Sequence, residues 1–130
     1  MFIDYQDARP IYEQIVEQYK KLILMGALTP DELLPSVRSL AVELSTNPNT
    51  VQKAYSELER QGFIYTVKGR GAFVQKNERL VESKKEELIE TILALASEAE
   101  ELGMTKEEIR QALRAREEKT DKVEVPGGAS

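Results

Sequence analysis

The sequence predicts a mainly α fold with a small β-hairpin: a winged helix-turn-helix domain followed by a short two-helix dimerisation region. Three observations predict it. Leu34-Pro35-Ser36-Val37-Arg38-Ser39-Leu40-Ala41 reads as a short capped helix, and Asn47-Pro48-Asn49-Thr50-Val51-Gln52-Lys53-Ala54-Tyr55 as a turn and a second helix with a strong start signal. Val67-Lys68-Gly69-Arg70-Gly71-Ala72-Phe73-Val74 reads as two short strands around a glycine-rich basic turn. The third is a long helical pattern beyond residue 80 with an apolar seam.

Each element has a local reason. Pro10 suits the first turn of a helix, where its missing N–H would be unpaired anyway. Ile11, Tyr12, Ile15, Val16, Tyr19, Leu22 and Ile23 then recur at helical spacing, and Gly26 closes the helix. Residues 27–35 form a connector containing Pro30 and Pro35. Ser36 is an N-cap for a helix with Val37, Leu40, Ala41 and Leu44 inward. Asn47 caps the next helix, Pro48 takes its first position, and Val51, Ala54, Tyr55 and Leu58 make its apolar face. Gly62 stops it, and Phe63–Val67 and Ala72–Gln75 have strand composition. A helix is expected from about Val81 to Leu102. Its seam is Leu88, Ile92, Leu95, Ala99 and Leu102, widened by Ile89, Leu93 and Ala96. Thr105-Lys106-Glu107-Glu108 is a capping box for a last helix with Ile109, Ala112 and Leu113 on its apolar face. The expected division is 1–76 for the winged helix, 77–118 for the helical region and 119–130 for a disordered tail.

Composition narrows the function. The chain has 130 residues, no Cys and no His, which removes disulfides, thiolate metal sites and the commonest general base. No catalytic triad or metal cluster is readable, so no catalytic residue, metal site or cofactor is expected. No apolar run approaches the roughly 20 residues that span a bilayer. The start, Met1-Phe2-Ile3-Asp4, does not read as a signal peptide. A cytoplasmic protein away from the membrane is the expectation. The net charge of −5 is unevenly placed: residues 1–79 are neutral overall, and 80–130 carry the whole excess. Residues 36–76 hold six basic and three acidic side chains, a local net charge of +3. A local basic surface, rather than the total, is what attracts phosphate.

The two central helices meet the steric demands of a helix-turn-helix. Ala41 is small where the helices cross, and Val51 and Ala54, ten and thirteen residues later, point back toward it. Asn49, Thr50, Gln52, Lys53 and Ser56 are left on the outer face near the helix N-terminus, the end that meets base edges in such motifs. Asn and Gln pair bidentately with adenine, and Lys donates to guanine. Any one of these residues alone equally fits an ordinary polar surface. Arg38, in the first turn of the preceding helix, fits a phosphate contact, a base-edge contact or plain solvation, and spacing does not decide among them. Lys68, Gly69 and Arg70, with Gly71, suit a wing tip against phosphate or the minor groove, and they also suit a plain hairpin turn.

These stretches resemble the GntR family of bacterial transcription regulators. The resemblance rests on Leu34-Pro35-Ser36-x-Arg38-x-Leu40-Ala41, Asn47-Pro48-Asn49-Thr50-Val51-x-x-Ala54-Tyr55-x-x-Leu58-Glu59-x-x-Gly62 and Gly69-x-Gly71-x-Phe73-Val74. Ile3-Asp4 and Pro10-Ile11-Tyr12-x-Gln14-Ile15 are similar to the YtrA subfamily. The resemblance covers residues 2–75 and implies that Arg38, Asn49, Thr50, Gln52 and Gly69 sit at DNA-contacting positions. Ser45-Thr46 departs from the Gly-Val usual in the turn. Pro48 and Gln52 stand where fatty-acid-type members carry arginines.

The C-terminal helices are too small to enclose a ligand pocket of several hundred Å³ alone. Their stripe suits a homodimer, which would read a palindromic site, or packing back onto the same chain. The expected partners are therefore double-stranded DNA and a second copy, with a small-molecule effector left open. The leading expectation is a homodimeric bacterial repressor. A winged helix used only to bind protein is a second class, and an enzyme a third.

Overall fold

The computed structural model describes residues 1–122. It contains α1 (Ile11–Leu24), α2 (Val37–Glu43), α3 (Pro48–Arg60), β1 (Ile64–Val67), β2 (Gly71–Val74), α4 (Glu78–Glu101) and α5 (Lys106–Lys122). The chain separates into two compact units, the first ending at Glu82 and the second beginning at Ser83. The first turn of α4 goes with the first unit, where Leu80 packs on its core.

The first unit is built around α3, which packs against α1, α2 and β1. Its fully buried side chains include Ile15 and Ile23 from α1, Leu40 from α2, Val51 and Leu58 from α3, and Val74 from β2. Tyr19 and Tyr55 meet edge to face with centroids 6.0 Å apart, and the Tyr55 hydroxyl donates to the Pro35 carbonyl at 2.7 Å. Burial pushes the Tyr55 hydroxyl's pKa upward, so it stays a neutral donor. Buried Gln14 ties down the N-terminal segment: its side chain accepts from the Asp4 N–H at 2.9 Å and donates to the Asp4 carbonyl at 2.9 Å.

Helix starts follow the side-chain caps. The Ser36 hydroxyl accepts the Ser39 N–H at 3.1 Å, and the Asn47 side-chain oxygen accepts the Asn49 N–H at 2.8 Å. Thr105 and Glu108 exchange both bonds of the capping box, at 3.1 and 3.3 Å. Four helices end in one motif, with a left-handed residue after the cap: Gly26, Ser45, Gly62 and Gly103. At the helix-turn-helix the Ser45 N–H donates to the Val42 carbonyl and the Thr46 N–H to the Ala41 carbonyl, at 3.1 and 2.9 Å. Ser45 therefore makes the turn that glycine would make, with φ +50°.

The hairpin is antiparallel with Ile64 opposite Val74 and Val67 opposite Gly71. The connector before α2 adds to it. Leu33 bridges Phe73, the Leu34 N–H donates to the Ala72 carbonyl at 2.8 Å, and the Val74 N–H donates to the Glu32 carbonyl at 2.9 Å. The expected plain connector thus supplies a short third edge to the sheet, a pairing that its two prolines hid.

Boundaries shift at the C-terminal side. α4 begins at Glu78 rather than Val81, because the Val81 N–H already bonds to the Asn77 carbonyl at 3.0 Å. α5 runs through Lys122, so residues 119–122 of the expected tail are helical. The rest of that tail, 123–130, lies outside the described residues.

Candidate nucleic-acid interface

The outward face of α3 carries the residues expected there. Asn49, Gln52, Lys53 and Ser56 are exposed, whereas Thr50 is half-buried. Gln52 Nε2 donates to the Ser56 hydroxyl at 3.2 Å, which lays the amide along the helix face. Asn49 sits in the first turn, where the helix dipole favours an anionic neighbour. Arg38 is exposed in the first turn of α2.

The wing tip is Lys68, Gly69 and Arg70, all exposed. The Arg70 N–H donates to the Val67 carbonyl at 2.9 Å, closing a turn whose third residue is Gly69 at φ +79°. A left-handed residue at that position favours glycine. Gly71 is more constrained. Its φ is +121°, and a Cβ there would lie 3.1 Å from Leu33 Cδ1. The glycines thus shape the tip and leave its two cations on the outside.

Four contacts were not legible in the sequence. Lys53 Nζ lies over the Tyr12 ring, 3.9 Å from its centroid. The Glu59 carboxylate accepts the Thr66 N–H of β1 at 3.2 Å, joining the end of α3 to the wing strand. On the wing, Tyr65 stacks on Phe73 with centroids 5.5 Å apart and donates to Asp31 at 2.7 Å. That hydrogen bond raises the Tyr65 pKa. From the sequence Tyr12 reads as part of an apolar face, and only long-range packing gives Lys53, Glu59 and Asp31 their partners. Further along α3, Arg60 makes a two-point pair with Glu57 through Nε at 2.9 Å and through Nη2. The pair holds the Glu57 carboxyl down to about 2.

The expected dimerisation residues lie on one exposed stripe. Leu88, Ile92, Leu95 and Leu102 of the seam are all exposed, as are Ile89 and Leu93, and Ala99 is half-buried. No residue of α4 is buried. Among the described residues no group of His, Cys, Asp or Glu is arranged to hold a metal, and no helix is long and apolar enough to cross a membrane.

A capped helix-turn-helix, a polar outward helix and a basic hairpin tip define the winged helix class of transcription regulators. Residues 11–74 match the family described as bacterial regulatory proteins, gntR family. The chain is 44% identical over 111 residues to the HTH-type transcriptional repressor YtrA of Bacillus subtilis, an alignment covering 84% of this chain and 85% of that one. It belongs to the GntR family. A crystal structure of a transcriptional regulator from Oenococcus oeni is similar with TM-score 0.74 and 34% identity, over 88% of this chain and 95% of that one. The DNA-binding domain of AraR in complex with operator ORX1 is similar with TM-score 0.51 and 30% identity, over 57% of this chain and 92% of that one.

Proposed function

We propose that this chain is a homodimeric, sequence-specific DNA-binding regulator, acting as a repressor at a palindromic operator. The observation that carries the reading is α3 itself. Val51, Ala54, Tyr55 and Leu58 bury one side completely, which turns Asn49, Gln52, Lys53 and Ser56 outward beside a basic wing tip. Helix 48–61 would lie in the major groove, with Asn49 and Gln52 at base edges. Thr50, half-buried beside them, would touch the groove wall with its methyl or hydroxyl. The wing at 68–71 would lay Lys68 and Arg70 against phosphate or the minor groove, with Gly69 allowing close approach. Arg38 would reach the backbone beside the groove. The AraR complex supports this reading, because a similar fold is seen there on an operator.

Residues 77–118 form the dimerisation region of this reading and 1–76 the DNA-binding domain. An apolar stripe of Leu88, Ile92, Leu95, Ala99 and Leu102 on a helix with no buried residue calls for a covering surface. A second copy supplies the same stripe, and two-fold symmetry matches two half-sites about 34–36 Å apart. The reading needs no cofactor and no catalytic residue, and it places the protein in the cytoplasm, where its DNA is.

Footprinting on the DNA upstream of the chain's own coding region tests the proposal. The expected result is a protected inverted repeat whose affinity falls steeply with salt. Equal affinity for all duplexes, or none, would refute it.

A further inference from the structure

We infer that Lys53 is a phosphate contact rather than a base reader, and that Tyr12 of α1 is the residue that positions it. The inference rests on the DNA-binding reading above.

Two cations stand on the outward side of α3, seven residues apart, and the fold treats them differently. Arg60 is paired at two points with Glu57, so its charge is largely cancelled where it stands. Lys53 has no ion pair among the described residues; its ammonium sits 3.9 Å from the centre of the Tyr12 ring. A carboxylate would both hold a lysine and neutralise it. An aromatic face holds the ammonium through its quadrupole and leaves the charge intact. The N–H groups that do not face the ring stay available for a further acceptor. Tyr12 is therefore a restraint that keeps a cation fixed and still cationic.

The direction of that restraint decides the role. α1 lies along one flank of α3. Tyr12 meets Lys53 there, and the positive charge of Lys20 is felt by Glu57 one turn further on. The wing lies along the other flank, where Glu59 holds Thr66. Lys53 is thus drawn off the Asn49–Gln52–Ser56 row toward α1. A helix seated in the major groove presents its central row to base edges and its flanks to the two sugar-phosphate walls. A flexible lysine would spend its time in many rotamers, and ordering it on binding carries an entropic cost that the ring removes in advance.

The test uses the full-length chain and two labelled duplexes, the footprinted sequence and a scrambled sequence of equal length, titrated at several salt concentrations. Lys53→Met should weaken both duplexes by a similar factor and lower the salt slope by about one. Tyr12→Leu should weaken both about three- to fivefold, and Tyr12→Phe, which keeps the ring, should match the parent. In the Lys53→Met background Tyr12→Leu should have no further effect. A purely structural role for Tyr12 would add its full penalty there. The Lys53 Hε protons should resonate upfield in the free protein and lose that shift in Tyr12→Leu but not in Tyr12→Phe. Selective loss of the footprinted duplex in Lys53→Met would make Lys53 a base reader and overturn the inference. So would multiplicative effects of the two substitutions, or an unshifted Lys53. A parent that bound neither duplex would refute the DNA-binding reading itself, and this inference with it.

Discussion

The winged helix and the long C-terminal helix treat their leucines in opposite ways. In the first unit, Leu34, Leu40, Leu44 and Leu58 are buried, each at 6% exposure or less. On α4, Leu88, Leu93 and Leu95 are 49–59% exposed. The first region buries these leucines within its own fold, while Leu33 and Val42 stay exposed on its surface. The second leaves open a stripe that costs free energy in water until something covers it. Residues 1–82 bury a core of their own, whereas the stripe on the helix after them stays open.

The same substitution in both regions should break or sharpen that contrast. Leu58→Ala removes a fully buried side chain from the core that also holds Val51 and Leu40 and should cost about 2–5 kcal/mol of unfolding free energy. Leu95→Ala should scarcely alter the stability of the winged helix. It should weaken self-association and make operator affinity depend more steeply on protein concentration. All five tyrosines lie in the first unit, so tyrosine fluorescence follows that unit alone during a urea titration. If Leu95→Ala lowered the fluorescence midpoint as much as Leu58→Ala does, the contrast would collapse. Placing a charge on the stripe, Ile92→Glu, should give a monomer by light scattering. A dimeric Ile92→Glu would mean that the stripe is not the interface.

Tyr55 tests the packed core of the first unit more gently. Tyr55→Phe keeps the edge-to-face ring contact with Tyr19 and removes the hydroxyl, with its bond to the Pro35 carbonyl and its interaction with the Tyr19 hydroxyl, a loss of about 1–2 kcal/mol at neutral pH. The raised pKa has a defined sign. Burial favours the neutral hydroxyl in the folded state, so the stabilisation is complete below the unfolded value near 10 and is lost as pH rises beyond it. The parent should therefore begin to lose stability above about pH 10, and Tyr55→Phe should show a shallower alkaline decline. Identical alkaline profiles would show that this hydroxyl does not control the transition.

Glu59 reaches across to the wing with a single hydrogen bond. Glu59→Ala should free the Thr66 N–H, loosen the wing and weaken DNA binding by about fivefold, as expected for about 1 kcal/mol. Glu59→Gln keeps an accepting oxygen and should retain the affinity. If Gln behaved like Ala, the charge rather than the bond to β1 would be the active feature.

What the sequence made legible follows the range of the forces involved. Caps and glycine stops are local, so Ser36, Asn47, Thr105 and Gly62 announce their elements from neighbours alone. The apolar face of α3 is periodic, which made Asn49, Gln52 and Lys53 readable as the opposite face. The contacts that organise the candidate site are between residues distant in sequence. Tyr12 and Lys53 are 41 positions apart and Asp31 and Tyr65 are 34 apart, with no shared period to connect them. The Leu33–Phe73 bridge was hidden for the same reason, behind a connector whose prolines read as turn. On α4 the seam was legible as a pattern, but a stripe has the same sequence whether it covers its own chain or another.

The smallest expected effect concerns the turn between α2 and α3. Helices α1, α3 and α4 close with a left-handed glycine, and α2 closes with Ser45 at φ +50°. A residue with a Cβ held in that conformation carries a penalty of roughly 1–2 kcal/mol. Glycine would relieve it, while giving the unfolded chain extra freedom worth about 0.4–1 kcal/mol. The difference leaves Ser45→Gly more stable by roughly 0.5 kcal/mol. The hydrogen bonds that close the turn run through the backbone, so the crossing of α2 and α3 should stay unchanged, and operator affinity with it. The urea midpoint followed by tyrosine fluorescence should rise by the same amount at every protein concentration, because the gain lies wholly in the first unit. Ser45→Ala, which keeps the Cβ and its strain, should show no such rise. Equal gains from Gly and Ala would mean that the serine hydroxyl, rather than the backbone conformation, was the weak point of the turn.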